Sequence, residues 1–352
     1  MRVLIVGTNV RNVAESARKA GYEVYTLTKY VDADLRIYAE RVERIGEDKE
    51  RVEKRVKELA EELNAGVVLT TGFEDLKVDV EVLGCDPREA AKATNKLKFY
   101  RTLEKAGIPF PELLSQDEAK EGETIVKPRR GGGGENVKLF RNDATQKDII
   151  FQRYIDGIPC SVSLIAGKEV YAISINRILA GWRDMNADGF KYAGNFAPFI
   201  PDPEMRRELI KTAIETVELF DFSGSVGVDF ILADEPYVLE VNPRFQGSLD
   251  CIEWSCDINL FRLHMLGVNG KKIDVQKPKR FAARTILFAD RRIEIKVSPA
   301  GNPFFADVPC RGDVYDKEWP LISILASGNS REEIFDKILK RRDLFMKMQH
   351  SA

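Results

Sequence analysis

Histidine is almost missing from this 352-residue sequence, which has only His264 and His350. That scarcity excludes a multi-histidine metal site, and a Ser-His-Asp triad would have to rest on one of the two. Cys85, Cys160, Cys251, Cys256 and Cys310 form an odd, scattered set without a C-x-x-C pair. Such a set fits a reducing compartment better than a disulfide framework. Cys251 and Cys256 have an unusual spacing for zinc and no ligand partners nearby, so buried free thiols are the plain expectation. An excess of one charge is absent too: Lys plus Arg is 54 against Asp plus Glu at 56, a formal net charge of -2. No basic field exists to hold a phosphate polymer, which argues against general nucleic-acid binding. The apolar stretch within Met1 to Gly7 is too short for a signal sequence or a membrane span. A soluble cytoplasmic protein without a membrane partner is expected.

What is present is a mixture of 44% hydrophobic and 31% charged residues in 39.8 kDa, enough for two or three packed lobes. Val3 to Val6 is apolar and β-branched, Gly7 makes a turn, and Val13, Ala14, Ala17 and Ala20 recur at helical spacing before Gly21. A strand is predicted over Glu23 to Leu27 and a helix over Lys49 to Leu63, with Val52, Val56, Leu59 and Leu63 on one stripe. Val67 to Thr70 resumes the strand pattern. Such alternation implies parallel strands joined by crossover helices, an α/β lobe of Rossmann type. The turn from Gly7 to Asn12 lacks the second and third glycines of G-x-G-x-x-G, which would admit a pyrophosphate, so NAD binding is not expected. Asp32 and Asp34 follow the second strand, where a solvated loop explains them equally well.

The texture changes at Asn95. A helix from Lys96 to Ala106 ends at Gly107, Pro109 and Pro111. A strand over Thr124 to Lys127 leads into Pro128 and the run Gly131, Gly132, Gly133, Gly134. Strands are predicted near Ile149 to Tyr154, Ser161 to Ala166 and Val170 to Ile178. A helix over Glu204 to Phe220 precedes strands at Ser225 to Leu232 and Tyr237 to Val241, giving an α+β lobe. After Pro278, strands are predicted at Ala282 to Phe288 and Ile293 to Val297, and Ser330 caps a helix running toward Met348.

Each glycine loses more conformational freedom on ordering than any other residue, so a run of them is costly in a rigid core. The run reads either as a surface hairpin or as a flap whose N–H groups wrap phosphate oxygens. Lys127, on the strand just upstream, places a cation beside it and favours the flap. Asp229 and Glu240 sit on adjacent apolar strands, where unpaired carboxylates are poorly hydrated. With the Asn242 amide oxygen they make an all-oxygen set suited to Mg²⁺ or Mn²⁺; a salt-bridged pair with Arg244 is the plainer alternative. Arg244 offers a fork to a phosphoryl or carboxylate oxygen.

Taken in order, Asn95-Lys96 with Gly107-Ile-Pro, Ile125 to Pro128 with its glycines, Gln152 to Gly157, Val228-Asp229 and Glu240 to Arg244 resemble the ATP-grasp superfamily. Within it the sequence resembles archaeal ATP-dependent carboligase-like proteins distantly related to biotin carboxylase. The resemblance implies an ATP-grasp fold with an N-terminal Rossmann-like pre-ATP-grasp lobe over 1–94, an ATP-grasp domain over 95–270 and a small C-terminal lobe over 271–352. It implies that Lys96, Lys127 and Gly131 to Gly134 contact the phosphates of ATP, and that Gln152, Arg153, Tyr154 and Ile155 line the adenine pocket. Arg153 and Ile155 would offer backbone hydrogen bonds there. Asp229, Glu240 and Asn242 would bind Mg²⁺, and Arg244 would steady the transferred phosphoryl group.

Three departures stand out: Gln152 replaces the usual acidic residue, no ribose glutamate follows Gly157, and Ser248 stands where biotin carboxylases use a glutamate on bicarbonate. The implied function is a carboxylate–amine ligase acting through an acyl phosphate, with small-molecule substrates; a carboxylase-like or phosphoryl-transfer enzyme and a non-catalytic nucleotide-binding module are the alternatives. A homodimer is compatible with all three. Arg177, Arg183 and Lys191, with Trp182 and Tyr192 among them, are the candidate substrate contacts, against a solvated loop. Trp254, Cys256 and His264 read as core packing.

Overall fold

The computed structural model describes residues 1–134, 136–141 and 148–350. Its first lobe runs β1 (Arg2–Gly7), α1 (Arg11–Lys19), β2 (Glu23–Thr28), α2 (Leu35–Tyr38), β3 (Arg41–Arg44), α3 (Lys49–Leu63) and β4 (Gly66–Leu69). The strands form a parallel sheet in the order β3-β2-β1-β4, the doubly wound pattern expected from the apolar runs. Local signals set the limits of α3: the Asp48 side chain accepts from the Arg51 N–H, and Asn64 closes the helix at φ 49°.

Helices α4 (Pro87–Thr94) and α5 (Lys96–Ala106) lead to a small antiparallel sheet of β5 (Leu113–Leu114), β6 (Thr124–Pro128), β7 (Lys138–Leu139) and β8 (Ile149–Arg153). The long sheet is built first from β9 (Ile158–Ala166), β10 (Val170–Ala180) and β11 (Tyr192–Ala197). Helix α6 (Pro203–Glu218) packs on it, and β12 (Gly224–Leu232) and β13 (Pro236–Asn242) complete one end. Then come α7 (Leu249–Cys256), α8 (Leu260–Val268), β14 (Phe281–Phe288), β15 (Ile293–Glu294), β16 (Phe305–Ala306), β17 (Val314–Tyr315), β18 (Pro320–Gly328) and α9 (Arg331–His350).

Residues beyond Pro278 add β14, β18 and β16 to one eight-stranded sheet, ordered β13-β12-β9-β10-β11-β14-β18-β16. The segment read from sequence as a loop before Asn195 contains the end of β10 and the start of β11, paired antiparallel. The strand expected over Ile293 to Val297 is only β15, bridged to β17. Ser330 does cap α9, its hydroxyl accepting from the Glu333 N–H at 3.2 Å.

A buried charge knot ties the lobes together. Arg11, 0% exposed, stands just past β1. It donates to both Asp250 oxygens at 3.0 and 2.7 Å, to Glu15 at 2.7 Å and to Asp307 at 3.2 Å. Arg284 donates to Asp307 at 2.6 Å. Asp34 is not solvated: it is buried and accepts from the Val308 and Asp307 N–H groups at 2.9 and 3.1 Å. The Rossmann turn thus spends its side chains on holding the first lobe against α7 and the C-terminal strands. His264 is core, as expected: its Nδ1 accepts from the Ser225 N–H and its Nε2 faces the Leu83 carbonyl, both at 2.8 Å. Burial pushes its imidazole down to about 4, so it stays neutral.

Candidate functional site

Antiparallel pairing of β12 with β13 puts Asp229 directly opposite Glu240, and Gly227 opposite Asn242. Cross-strand partners share a face, so the three polar side chains stand together while Val228, Phe230 and Val238 fill the core. Burial and the facing Glu240 push the Asp229 carboxyl well above its ordinary range. Burial resists ionisation of Glu240 too, but Lys96, Lys127 and Arg244 outweigh it and hold Glu240 below its usual value.

The cations come from two directions. Asn95 caps α5 by accepting from the Lys98 N–H, which leaves Lys96 in the first turn. Its ammonium donates to the Gly131 carbonyl and lies 3.7 Å from Glu240. Lys127 projects from β6, buried, and donates to the Tyr100 hydroxyl at 2.7 Å; that hydroxyl in turn donates to the Leu239 carbonyl at 2.6 Å. Burial pulls Lys127 down to about 8, against the opposing pull of Glu240. The Lys127 ammonium is therefore lost as pH rises through about 8, and any phosphate contact it makes would be lost with it. ATP affinity is expected to be about ten-fold weaker at pH 9 than at pH 7. Lys127→Ala should bind ATP weakly at both pH values, without that dependence. Calorimetric titration with a nonhydrolysable ATP analogue measures both, and a flat profile in the parent chain would separate Lys127 from the phosphates.

The glycine run lies directly over this cluster. Gly131, Gly133 and Gly134 have φ of 106°, 68° and 74°, conformations that L side chains rarely adopt. A Cβ on Gly132 would lie 3.8 Å from Glu240 Oε1, and one on Gly134 would collide with the Phe190 carbonyl oxygen. The Tyr192 N–H donates to the Gly133 carbonyl at 3.2 Å. Gly134→Ala should therefore undock the flap and lower ATP turnover by about a hundred-fold, with circular dichroism unchanged. Parent-like turnover in that variant would mean that the docked position is not the working one.

Arg244 donates to Glu74 and to the Phe245 carbonyl, and at 3.0 Å to the Asn242 amide oxygen. The Asn242 NH₂ donates to Asp229 at 3.2 Å. Two facing carboxylates, one with a proton-favouring environment, fit a divalent cation. The Asn242 oxygen fits it only after Arg244 lets go. Among the described residues no group of three or more His, Cys, Asp and Glu side chains forms a metal cluster. An ion here would rest on two carboxylates and an amide, which leaves coordination positions for phosphate oxygens.

In the segment expected to line an adenine pocket, Gln152 is buried and donates to the Pro111 carbonyl at 2.6 Å. The Arg153 N–H is already spent on the Glu112 carbonyl at 2.9 Å, and its guanidinium pairs with the Glu112 carboxylate. Tyr154 donates its N–H to Glu123. The Ile155 N–H makes no backbone bond among the described residues. The three candidate substrate cations do not converge. Arg177 donates to the Pro159 carbonyl at 3.0 Å, Lys191 to the Glu318 carbonyl at 3.2 Å, and the Arg183 side chain is 92% exposed, 3.9 Å from Asp188. Glu74, Tyr100 and Arg11 carry roles that sequence reading missed, and Tyr192 stood out there only beside the candidate substrate cations. Glu74 and Arg11 act across lobes, and Tyr100 and Tyr192 between segments far apart in sequence, where spacing along the chain is silent.

The family model described as an ATP-grasp domain matches residues 93–248. An uncharacterized protein of Methanocaldococcus jannaschii is 29% identical over 95% of this chain and 90% of its own. The tyramine–L-glutamate ligase of Methanocaldococcus fervens is 29% identical over 49% of this chain, which spans only 53% of that enzyme. The biotin carboxylase of Campylobacter jejuni superposes with a TM-score of 0.74 at 15% identity, covering 95% of this chain and 89% of its own, a likeness of fold.

Proposed function

We propose that this chain, whose residues 93–248 match the family model described as an ATP-grasp domain, is an ATP-dependent ligase that joins a carboxylate to an amine through an acyl phosphate. The observation that carries the reading is the facing pair Asp229–Glu240, roofed by the glycine flap and flanked by Lys96, Lys127 and Arg244. ATP would lie with its phosphates under Gly131 to Gly134, against Lys96 and Lys127, and with adenine at Gln152 to Ile155. The Ile155 N–H, which makes no backbone bond among the described residues, would be the adenine donor, since that of Arg153 is taken. Asp229, Glu240 and Asn242 would hold Mg²⁺, which when bound neutralises charge on the phosphates.

The substrate carboxylate oxygen attacks the γ-phosphorus, the bond to the β-phosphate oxygen breaks and ADP leaves. The amine then attacks the acyl carbon, phosphate departs and the amine proton passes to solvent. Arg244, released from Glu74 and Asn242, would turn its fork to the transferred group. The flap excludes water and so protects the acyl phosphate. The likeness to tyramine–L-glutamate ligase over half of this chain supports a carboxylate and an amine as the substrates.

Bicarbonate activation is disfavoured by Ser248, which is 1% exposed and shares a hydrogen bond with Ser163 at 3.3 Å. A buried neutral hydroxyl is no base for bicarbonate. Incubation with ATP, Mg²⁺ and pooled amino acids and amines tests the proposal. Phosphate release that needs both a carboxylate and an amine supports it. Release with bicarbonate alone supports carboxylation, and no release with any acceptor supports a binding module.

A further inference from the structure

Tyr192 touches both sides of the pocket with one residue. Its main-chain N–H holds the Gly133 carbonyl of the flap. Its hydroxyl donates to the Asn195 side-chain oxygen and lies 2.7 Å from where a Cβ on Gly247 would stand. Gly247 belongs to the short loop that follows Arg244, and Arg284 donates to its carbonyl at 3.5 Å. On the flap side the contact is reinforced by Phe190. Its carbonyl abuts Gly134, and its ring meets Tyr154 edge-on at 6.4 Å between centroids. Lys191, between them, is anchored over the Phe288 ring at 4.7 Å. Residues 190–192 are thus held by contacts on both sides where they lead into β11.

We propose that Tyr192 is a positioning residue that couples closure of the glycine flap to the arrangement of the Arg244–Ser248 loop, so that ATP is sealed in only when the acceptor side is in order. The proposal rests on the ATP-dependent reading above. The hydroxyl senses the loop through its close approach to Gly247, held in place by Asn195 of its own strand. The backbone N–H passes that position to Gly133, a few atoms away on a rigid strand. When the link is cut, the flap closes without regard to the acceptor, and water takes the place of the carboxylate oxygen at the γ-phosphorus. ADP, phosphate and a proton are then released without ligation.

The test uses the full chain with Tyr192→Phe, which keeps the ring and the backbone donor and removes only the hydroxyl. With MgATP and no acceptor, ADP release is expected to rise about five-fold, while KM for ATP and the melting temperature stay near the parent values. A merely structural role would lower stability and leave acceptor-free hydrolysis unchanged. Trypsin, cutting after the exposed Arg130 at the flap's base, gives a second reading that needs no turnover. A nonhydrolysable ATP analogue with Mg²⁺ should slow that cut in the parent and slow it less in the variant. Equal acceptor-free rates together with equal protection would overturn the coupling. A parent chain that neither hydrolyses ATP nor is protected by the analogue would instead sink the ATP-dependent reading beneath it.

Discussion

Glu240→Gln is expected to give a folded protein whose ATP turnover is lower by about a hundred- to a thousand-fold, the scale on which a single charge-stabilising group acts in a dry site. The substitution keeps volume and hydrogen-bonding reach but deletes the charge that faces Asp229 and balances Lys96 and Lys127. Two further effects follow from the geometry. Asp229 loses the neighbour that, with burial, holds its proton on, so its carboxyl falls back toward the ordinary range. Lys127 loses the charge that opposes its burial, so its ammonium is given up at still lower pH and ATP binding fades earlier on the alkaline side. A coupled assay of ADP release, with thermal melting as the control for folding, reads all of this. Retained full turnover would remove Glu240 from the site.

Arg11→Met should be the most destabilising single change away from the pocket, costing about 3–5 kcal/mol because it leaves buried carboxylates without their partner. Asp250, Asp307 and Glu15 each receive a hydrogen bond from that guanidinium. Methionine fills the space but donates nothing. Urea unfolding measures the loss, and the double variant Arg11→Met, Asp250→Leu should recover part of it. A change within about 1 kcal/mol would mean that the carboxylates take up protons and find one another.

The parts of this molecule that are legible in sequence are those with local causes. Helix α3 is bounded by its own cap and its own apolar stripe, and β1 is a run of β-branched residues. The flap and the strands bearing Asp229 and Glu240 are legible because glycine runs and carboxylates among apolar neighbours are physically odd. Strand β11 is hidden in the sequence: Gly194 and Asn195 are poor strand formers, and β10 and β14 on either side supply the hydrogen bonds that hold them extended. Strand β18 is buried over Leu321 to Ala326 with no alternation to mark a face, and it lies between β14 and β16. Asp34 reads as a loop residue until the N–H groups of Asp307 and Val308 arrive from the far end of the chain. Arg244 reads as a free fork for phosphate until Glu74, from the first lobe, is seen to hold it.

A ribosome delivers the long sheet out of order. Strands β9 to β13 emerge together, but the neighbour of β11 is β14, and β14 in turn needs β18, close to the last helix. Until those arrive, the nascent protein shows the outside world a row of unsatisfied main-chain groups along β11, the kind of edge to which other chains adhere. The segment after Pro278 is thus what closes the sheet, and until it is made β11 stands as an open edge.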